Sequence, residues 1–368
     1  MNRESILLVI SGLGTGGAER QLVDLAIALK SAGRTVRVLS LTPGGRYVAI
    51  LENAGVEVKT LKFGRGRVPG IAAMPQALQA FQFILHARPR AMICFLHHAN
   101  ILGRIAGRLT GCPTIISSFR SGELPSRVRV ILERATCSFD TFSTFNSEAA
   151  ASLLHRNGLV DQNKVRVIYN SFPTDRLPSL EKREQLRQHA KISPQEFVWL
   201  SVGRLHEVKN YPAALHALAG QGDHSRPWRY LVAGEGSERE ELVRIAGDLG
   251  ISERVEFLGE RRDVADLLAL ADGFILTSRS EGLPNALIEA LASGLPIVAT
   301  AVGGVPELLQ GTPNSILVEH GSPHELASAV RRVMSTADER VLNEGVLRRF
   351  RSDIILDQWL ALIDSAPA

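Results

Sequence analysis

The sequence predicts two doubly wound α/β domains in tandem, and three observations carry that prediction. Short β-rich runs alternate with helical patterns from residue 5 to residue 168, the signature of βαβ units and a parallel sheet. The alternation stops across residues 172–194, which hold Pro173, Pro178, Pro194 and the charged run Glu181-Lys182-Arg183-Glu184, and restarts at Phe197. A chain of 368 residues also exceeds what one hydrophobic core usually serves.

In the first half the strand candidates are 5–11, 35–41, 56–61, 91–96, 113–118, 141–145 and 165–168. These runs are β-rich and four to seven residues long. Between them lie helical patterns at 18–32, 71–87, 99–109, 126–137 and 148–157, the last behind an Asn146-Ser147 cap. The second half gives strand candidates at 197–203, 230–233, 254–258, 273–277, 296–300 and 315–318, with helices between them. A final helical pattern covers 353–363.

Composition narrows the function classes. Hydrophobic content of 45% and charged content of 22% are those of an ordinary globular protein. No apolar run reaches the roughly 20 residues that span a bilayer, and the run 6–10 is too short for a signal peptide, so a cytoplasmic protein is expected. Cys94, Cys112 and Cys137 show no zinc or redox spacing and are expected as buried reduced thiols. The net charge of +4 divides unevenly: residues 1–180 carry 22 Lys and Arg against 11 Asp and Glu, and residues 181–368 carry 20 against 27. A basic first half suits an anionic partner. No aromatic-interleaved basic tract is present, so nucleic acid is disfavoured against a lipid-linked acceptor or the inner face of a membrane. Lys62, Arg65, Arg67 and the arginines of 126–134 are the candidate contacts, with a solvated charge bias as the alternative.

The stretch that carries most chemistry is 277–307, TSRSEGLPNALIEALASGLPIVATAVGGVPE. Pro284 suits a first helical position, and Gly294 and Pro296 mark the stop, giving a loop, a helix and a strand. A helix start in general leaves backbone N–H groups to be satisfied from outside, so the amides near Gly282, Leu283, Pro284 and Asn285 can receive a diphosphate. Glu281 and Glu289 flank it and can accept hydrogen bonds from sugar hydroxyls on either side. Pyrophosphate between two hydroxyl-rich rings describes a nucleotide sugar; a capped surface helix with two solvated glutamates is the alternative. Arg204 and Lys209, five residues apart after the strand 197–203, can hold two phosphates and offset charge on a leaving diphosphate.

Two further stretches lie at strand exits of the first half. Gly12, Gly14 and Gly17 fit GxGxxG between a strand and a helix, so a dinucleotide-dependent oxidoreductase competes. The acidic residue such a site needs at the end of the second strand is missing from Leu41-Thr42-Pro43-Gly44-Gly45-Arg46, which disfavours NAD and leaves Arg46 as a narrow NADP option. His97 and His98 follow the fourth strand, where either can bind an acceptor or polarise a hydroxyl, and packing of at least one is the alternative. Arg120 follows the fifth strand and can hold a phosphate or a carboxylate.

Glu281 and Glu289, inside SEGLPNALIEALASGLPIVAT, resemble the E-x7-E signature of retaining glycosyltransferases of family 4. Gly203-Arg204-Leu205 with Lys209-Asn210, Gly234-Glu235-Gly236 and Gly303-Gly304-Val305-Pro306-Glu307 fall where that family has its motifs, and Gly16-Gly17-Ala18-Glu19-Arg20 resembles its glycine-rich first turn. The resemblance implies the GT-B fold, two Rossmann-like domains facing a central cleft: an acceptor-binding domain over 1–180, a nucleotide-sugar-binding domain over 181–352, and a helix over 353–368 that crosses back to the first. It implies that Arg204 and Lys209 bind the diphosphate, Glu281 contacts the donor sugar, Glu289 binds the ribose, and Gly16 and Gly17 approach the donor phosphate or the acceptor. His98 and Arg120 fall on the acceptor side, Arg120 where many relatives have a histidine. The implied reaction is hexosyl transfer with retention, from a UDP sugar ahead of a GDP sugar, to a glycan or lipid-linked acceptor in cell-surface polysaccharide or lipopolysaccharide synthesis. No Asp-x-Asp tripeptide is present, and no metal or cofactor is expected. A nucleotide-sugar epimerase or hydrolase is the alternative on related architecture.

Overall fold

The computed structural model describes residues 5–63, 74–120, 126–172, 179–221, 226–336, 340–342 and 344–365. Arg65 and Arg67 lie outside them. The chain divides into two compact units, one of residues 1–171 with 352–368 and one of 172–351.

The first unit is built on seven strands: β1 (Ser5–Ile10), β2 (Thr35–Ser40), β3 (Glu57–Thr60), β4 (Ala91–Phe95), β5 (Thr114–Phe119), β6 (Phe142–Phe145) and β7 (Val165–Val167). They pair in parallel in the order β3-β2-β1-β4-β5-β6-β7. β1 and β4 are buried at every residue because helices cover both faces, whereas the edge strand β3 alternates exposed and half-buried residues. The Ser352–Asp364 helix belongs to this unit, where Ile355, Trp359 and Ile363 join Ile6, Leu8, Ile10 and Phe95 in one cluster.

The second unit has β8 (Phe197–Val202), β9 (Trp228–Ala233), β10 (Val255–Gly259), β11 (Gly273–Leu276), β12 (Ile297–Thr300) and β13 (Ser315–Val318). Their parallel order is β10-β9-β8-β11-β12-β13. Both sheets therefore turn between two central strands, β1 and β4 in one and β8 and β11 in the other. At such switch points the loops leaving the strands diverge and open a crevice for ligands. The doubly wound α/β architecture expected from the sequence is present in each unit.

Several local expectations need correction. The chain leaves the first unit at Ser171, whose N–H donates to Gln21, and enters the second at Phe172, whose N–H donates to Phe350 O at 2.7 Å. The charged run expected inside a linker instead opens the Arg183–His189 helix. Arg183 and Arg187 hold Asp272 at 2.5 and 2.8 Å and cap the last carbonyls of the Val264–Leu270 helix, which lack partners of their own. Of the cysteines only Cys94 is buried; Cys112 and Cys137 are half-buried, and all three are free. Among the described residues no helix is long and apolar enough to cross a membrane.

Candidate active site

The loops that leave β8, β11 and β12 build the site in the second unit. After β8 the chain runs from Gly203 to Asn210 in a tight path, with Leu205 N donating to Glu235 O at 2.9 Å. Gly234 makes that path possible. Its φ of +154° and the Gly203 carbonyl, 1.8 Å from where a Cβ would stand, exclude any side chain. The Glu207–Lys209 turn follows, and Asn210 then enters the Tyr211–Ala219 helix at φ +50°. Asn210 is that helix's N-cap without a side-chain cap bond, and its role is the left-handed backbone that asparagine tolerates.

The exit of β11 clamps this loop. Arg279 N donates to Val208 O at 2.8 Å, and Thr277 Oγ1 donates to Lys209 O and Asn210 O at 3.2 and 2.9 Å. These bonds fix the start of the Lys209 side chain, and its far end meets Glu281: the ammonium donates to Glu281 Oε1 at 2.5 Å. The Ser278 hydroxyl donates to the same oxygen at 2.6 Å. Lys209 and Glu281 side chains are 18% and 10% exposed, so the pair sits in a recess that a ligand can still reach. Sequence reasoning missed Ser278, although its spacing three residues before Glu281 was visible. Thr300 Oγ1 in turn donates to Ser278 O at 2.6 Å and ties β12 into the support.

Beyond Glu281 the chain buries Gly282, Leu283 and Pro284 and begins an eight-residue helix, Asn285–Ala292. Pro284 is its N-cap, one position earlier than expected, and its carbonyl receives the N–H of Leu287 and of Ile288. Pro284 still cannot continue a helix backwards, so the start is sharp. Glu289 lies within this helix and is 6% exposed, which overturns the picture of two solvated glutamates. A loop after β12 closes over the same backbone. Gly304 N donates to Gly282 O at 2.9 Å, and Gly303 turns at φ +51° with the Glu281 carbonyl 1.8 Å from its missing Cβ. Gly303→Ala is therefore expected to destabilise the protein by about 1–3 kcal/mol through overpacking and positive-φ strain. A thermal melt with an unchanged Tm would refute this.

Arg204, Lys209, Glu281, Glu289 and residues 282–285 thus stand on one unit. Lys209 and Glu281 touch; Arg204 is exposed on the same loop as Lys209. Gly16, Gly17, His98 and Arg120 stand on the other. There the Gly17–Ser31 helix has Gly16 as its N-cap, and Glu19 folds back over it with a carboxylate oxygen 2.3 Å from the missing Gly16 Cβ. The positive helix end thus already faces a carboxylate of its own chain. Arg120 donates to Ser118 Oγ at 3.0 Å and Asn170 Oδ1 at 2.8 Å, with its guanidinium 4.8 Å from the Phe95 ring centroid and 5.8 Å from that of Trp359. Burial lowers its pKa to about 9, which leaves it charged at neutral pH. His98 is exposed, and burial, Arg129 and His97 lower its pKa, keeping the ring neutral.

The two halves match two domain models: residues 16–171 the glycosyl transferase 4-like domain and residues 182–342 the glycosyl transferases group 1 domain. Each half thus matches a glycosyl transferase domain model, and the fold is GT-B. It is similar to the lipopolysaccharide core biosynthesis glycosyltransferase LpsE of Rhizobium meliloti, 30% identical over 56% of this chain and 59% of that protein. It is also similar to the UDP-Gal:alpha-D-GlcNAc-diphosphoundecaprenol alpha-1,3-galactosyltransferase of Escherichia coli, 25% identical over 66% of this chain and 65% of that one. In both cases the match spans less than two thirds of the relative. The crystal structure of Anabaena Alr3699/HepE in complex with UDP has the same fold, with a TM-score of 0.84, 22% identity and coverage of 98% of this chain and 100% of that one.

Proposed function

We propose that the chain transfers a hexosyl group from a nucleoside diphosphate sugar, UDP ahead of GDP, to a hydroxyl of a glycan or lipid-linked acceptor, with retention and without a metal. The observation that carries this reading is the recessed Lys209–Glu281 pair just ahead of the Asn285–Ala292 helix. A lysine already held by a carboxylate is positioned before substrate arrives, and its two other N–H bonds can turn to phosphate oxygens. Arg204 adds a second cation on the same loop, and the helix start adds amides and dipole. Glu281, held by the buried Ser278 hydroxyl, offers acceptor oxygens to sugar hydroxyls, and Glu289 takes the ribose. Relatives named for UDP-galactose transfer and lipopolysaccharide core synthesis support the donor class and the pathway.

In the reaction the bond from the anomeric carbon to the diphosphate oxygen breaks as the acceptor oxygen bonds to the same face of that carbon. The acceptor proton passes to the departing phosphate. Arg204, Lys209 and the helix start then stabilise the charge on the diphosphate, where preorganised donors have most effect. The basic half carries the proposed contact with an anionic membrane face.

A thermal-shift panel of nucleoside diphosphates, nucleotide sugars and NADP tests the donor class. Ligand at a hundred times its Kd stabilises the native state by about 2.7 kcal/mol, so UDP or GDP is expected to raise Tm by several degrees. A rise with NADP alone would replace this reading by an oxidoreductase. Consumption or isomerisation of donor at full rate without acceptor would replace it by a hydrolase or epimerase.

A further inference from the structure

The helices of the first unit fall on two faces of its sheet, and the faces differ in kind. A crossover between parallel strands is right-handed, so its direction across the sheet decides the side on which its helix lies. The Met74–Ala87, His97–Thr110 and Arg127–Thr136 helices link β3 to β4, β4 to β5 and β5 to β6, all in one direction. The Gly17–Ser31 and Tyr47–Asn53 helices link β1 to β2 and β2 to β3 in the other. The cores agree: Ala80, Ile84, Ala99 and Ala106 pack with Leu7 and Val9 of β1, whereas Leu22, Leu51 and Trp359 pack with its Ile6 and Leu8.

The three-helix face is apolar where it meets solvent. Met74 and Leu78, Ile105 and Leu109, and Val128 and Ile131 are 43–70% exposed, and each pair is spaced by three or four residues, so every helix carries one outward stripe. The helices lie side by side, the middle one packed against both others. Among the described residues of this unit, every exposed large apolar side chain stands on them except Ile50 and Phe139. Ordinary surfaces scatter such residues singly, and a contiguous patch marks an interaction site.

The exposed charge on this face has one sign. Arg108, Arg127, Arg129 and Arg134 are exposed. The three helices carry a single carboxylate, Glu133, and it is 1% exposed, turned inward onto His97 and Arg104. Helices of the opposite face present Glu52, Asp353, Asp357 and Asp364 to solvent.

We propose that the three-helix face docks on an anionic lipid surface, its apolar stripes entering the headgroup boundary and its arginines reaching lipid phosphates. This rests on the membrane contact proposed above, supplies its residues, and needs nothing from the sugar-transfer site. Arginine stems lie along apolar surface while the guanidinium stays at the level of the phosphates, so side chains next to Leu109 and Val128 serve both attractions at once. A second copy of the chain fits poorly. A two-fold interface would set the same arginines against one another, with no exposed carboxylate on the three helices to pair them.

Cosedimentation of the full chain with phosphatidylcholine vesicles, with and without phosphatidylglycerol, tests the face. Wild type is expected to bind the mixed vesicles and not the neutral ones, with affinity falling as salt rises. Arg108→Gln with Arg127→Gln is expected to weaken binding about tenfold or more, since each arginine near an anionic surface is worth about fivefold. Leu109→Ser with Ile131→Ser, both at exposed positions, is expected to weaken it by a similar factor while the Tm holds. Asp357→Asn on the opposite face is expected to leave it within about twofold. Undiminished binding in either double variant would overturn the proposal, as would a wild-type chain that ignores anionic vesicles. A dimer in sedimentation velocity that Ile131→Ser dissolves would replace lipid by a second copy. Transfer to a water-soluble acceptor separates the two readings: full transfer without vesicle binding removes the membrane contact alone, and vesicle binding without transfer removes the enzymatic reading alone.

Discussion

Lys209→Ala is expected to fold and to lose about a hundred- to a thousandfold in turnover, the scale of removing one preorganised donor from a transition-state charge. Two effects act in the same direction. The leaving diphosphate loses an ammonium that the Thr277 and Arg279 clamp has already positioned. The Glu281 carboxylate, 10% exposed, loses its cation and keeps only the Ser278 hydroxyl of its two named partners. Glu281→Gln separates these effects, since it preserves shape and the Ser278 contact while removing the charge. It too is expected to lose most turnover, with a smaller change in Tm than Lys209→Ala. Steady-state kinetics with melting curves on both variants is the measurement. Full activity in either would dissociate the pair from the chemistry.

Arg104→Leu is expected to cost more stability than any surface change, about 3–5 kcal/mol, because it strands two buried carboxylates. In the native protein Arg104 keeps its charge despite burial because Asp140 and Glu133 hold it. Burial pushes the Asp140 pKa up against the pull of Arg104, Ser117 and Ser143. Without the guanidinium both folded-state carboxyl pKa values rise above their unfolded values. A carboxyl of that kind stabilises the folded state only while it is protonated, and its contribution is lost as pH rises. The deficit of Arg104→Leu relative to wild type should therefore shrink on going from pH 8 to pH 5. Urea denaturation at the two pH values measures it, and a deficit that grows on acidification would contradict the ion-pair account.

How much of this could be read beforehand depended on range. β1 and β4 were legible because strands covered on both faces are continuous apolar runs. The loop, helix and strand around Glu281 were legible because proline and glycine punctuate them locally. Contacts between distant residues were not. Nothing near His97 in the sequence announces Glu133, and nothing near Arg120 announces Trp359, because each pairing is made by helices that tertiary packing brings alongside. The burial of Glu289 was hidden for the same reason, since a helical glutamate is solvated or enclosed according to its neighbours. Asn210 is a subtler case: the residue type was right for a helix entry, but backbone tolerance was the reason.

The Ser352–Asp364 helix has a consequence for how the molecule comes into being. Its Trp359 and Ile363 fill the core of the unit that also contains β1, so that interior is closed by a segment made only after the whole second unit. During synthesis the amino-terminal sheet stands with an open apolar seat while the whole intervening unit emerges. A nascent intermediate of that kind exposes apolar surface of the sort that chaperones shield.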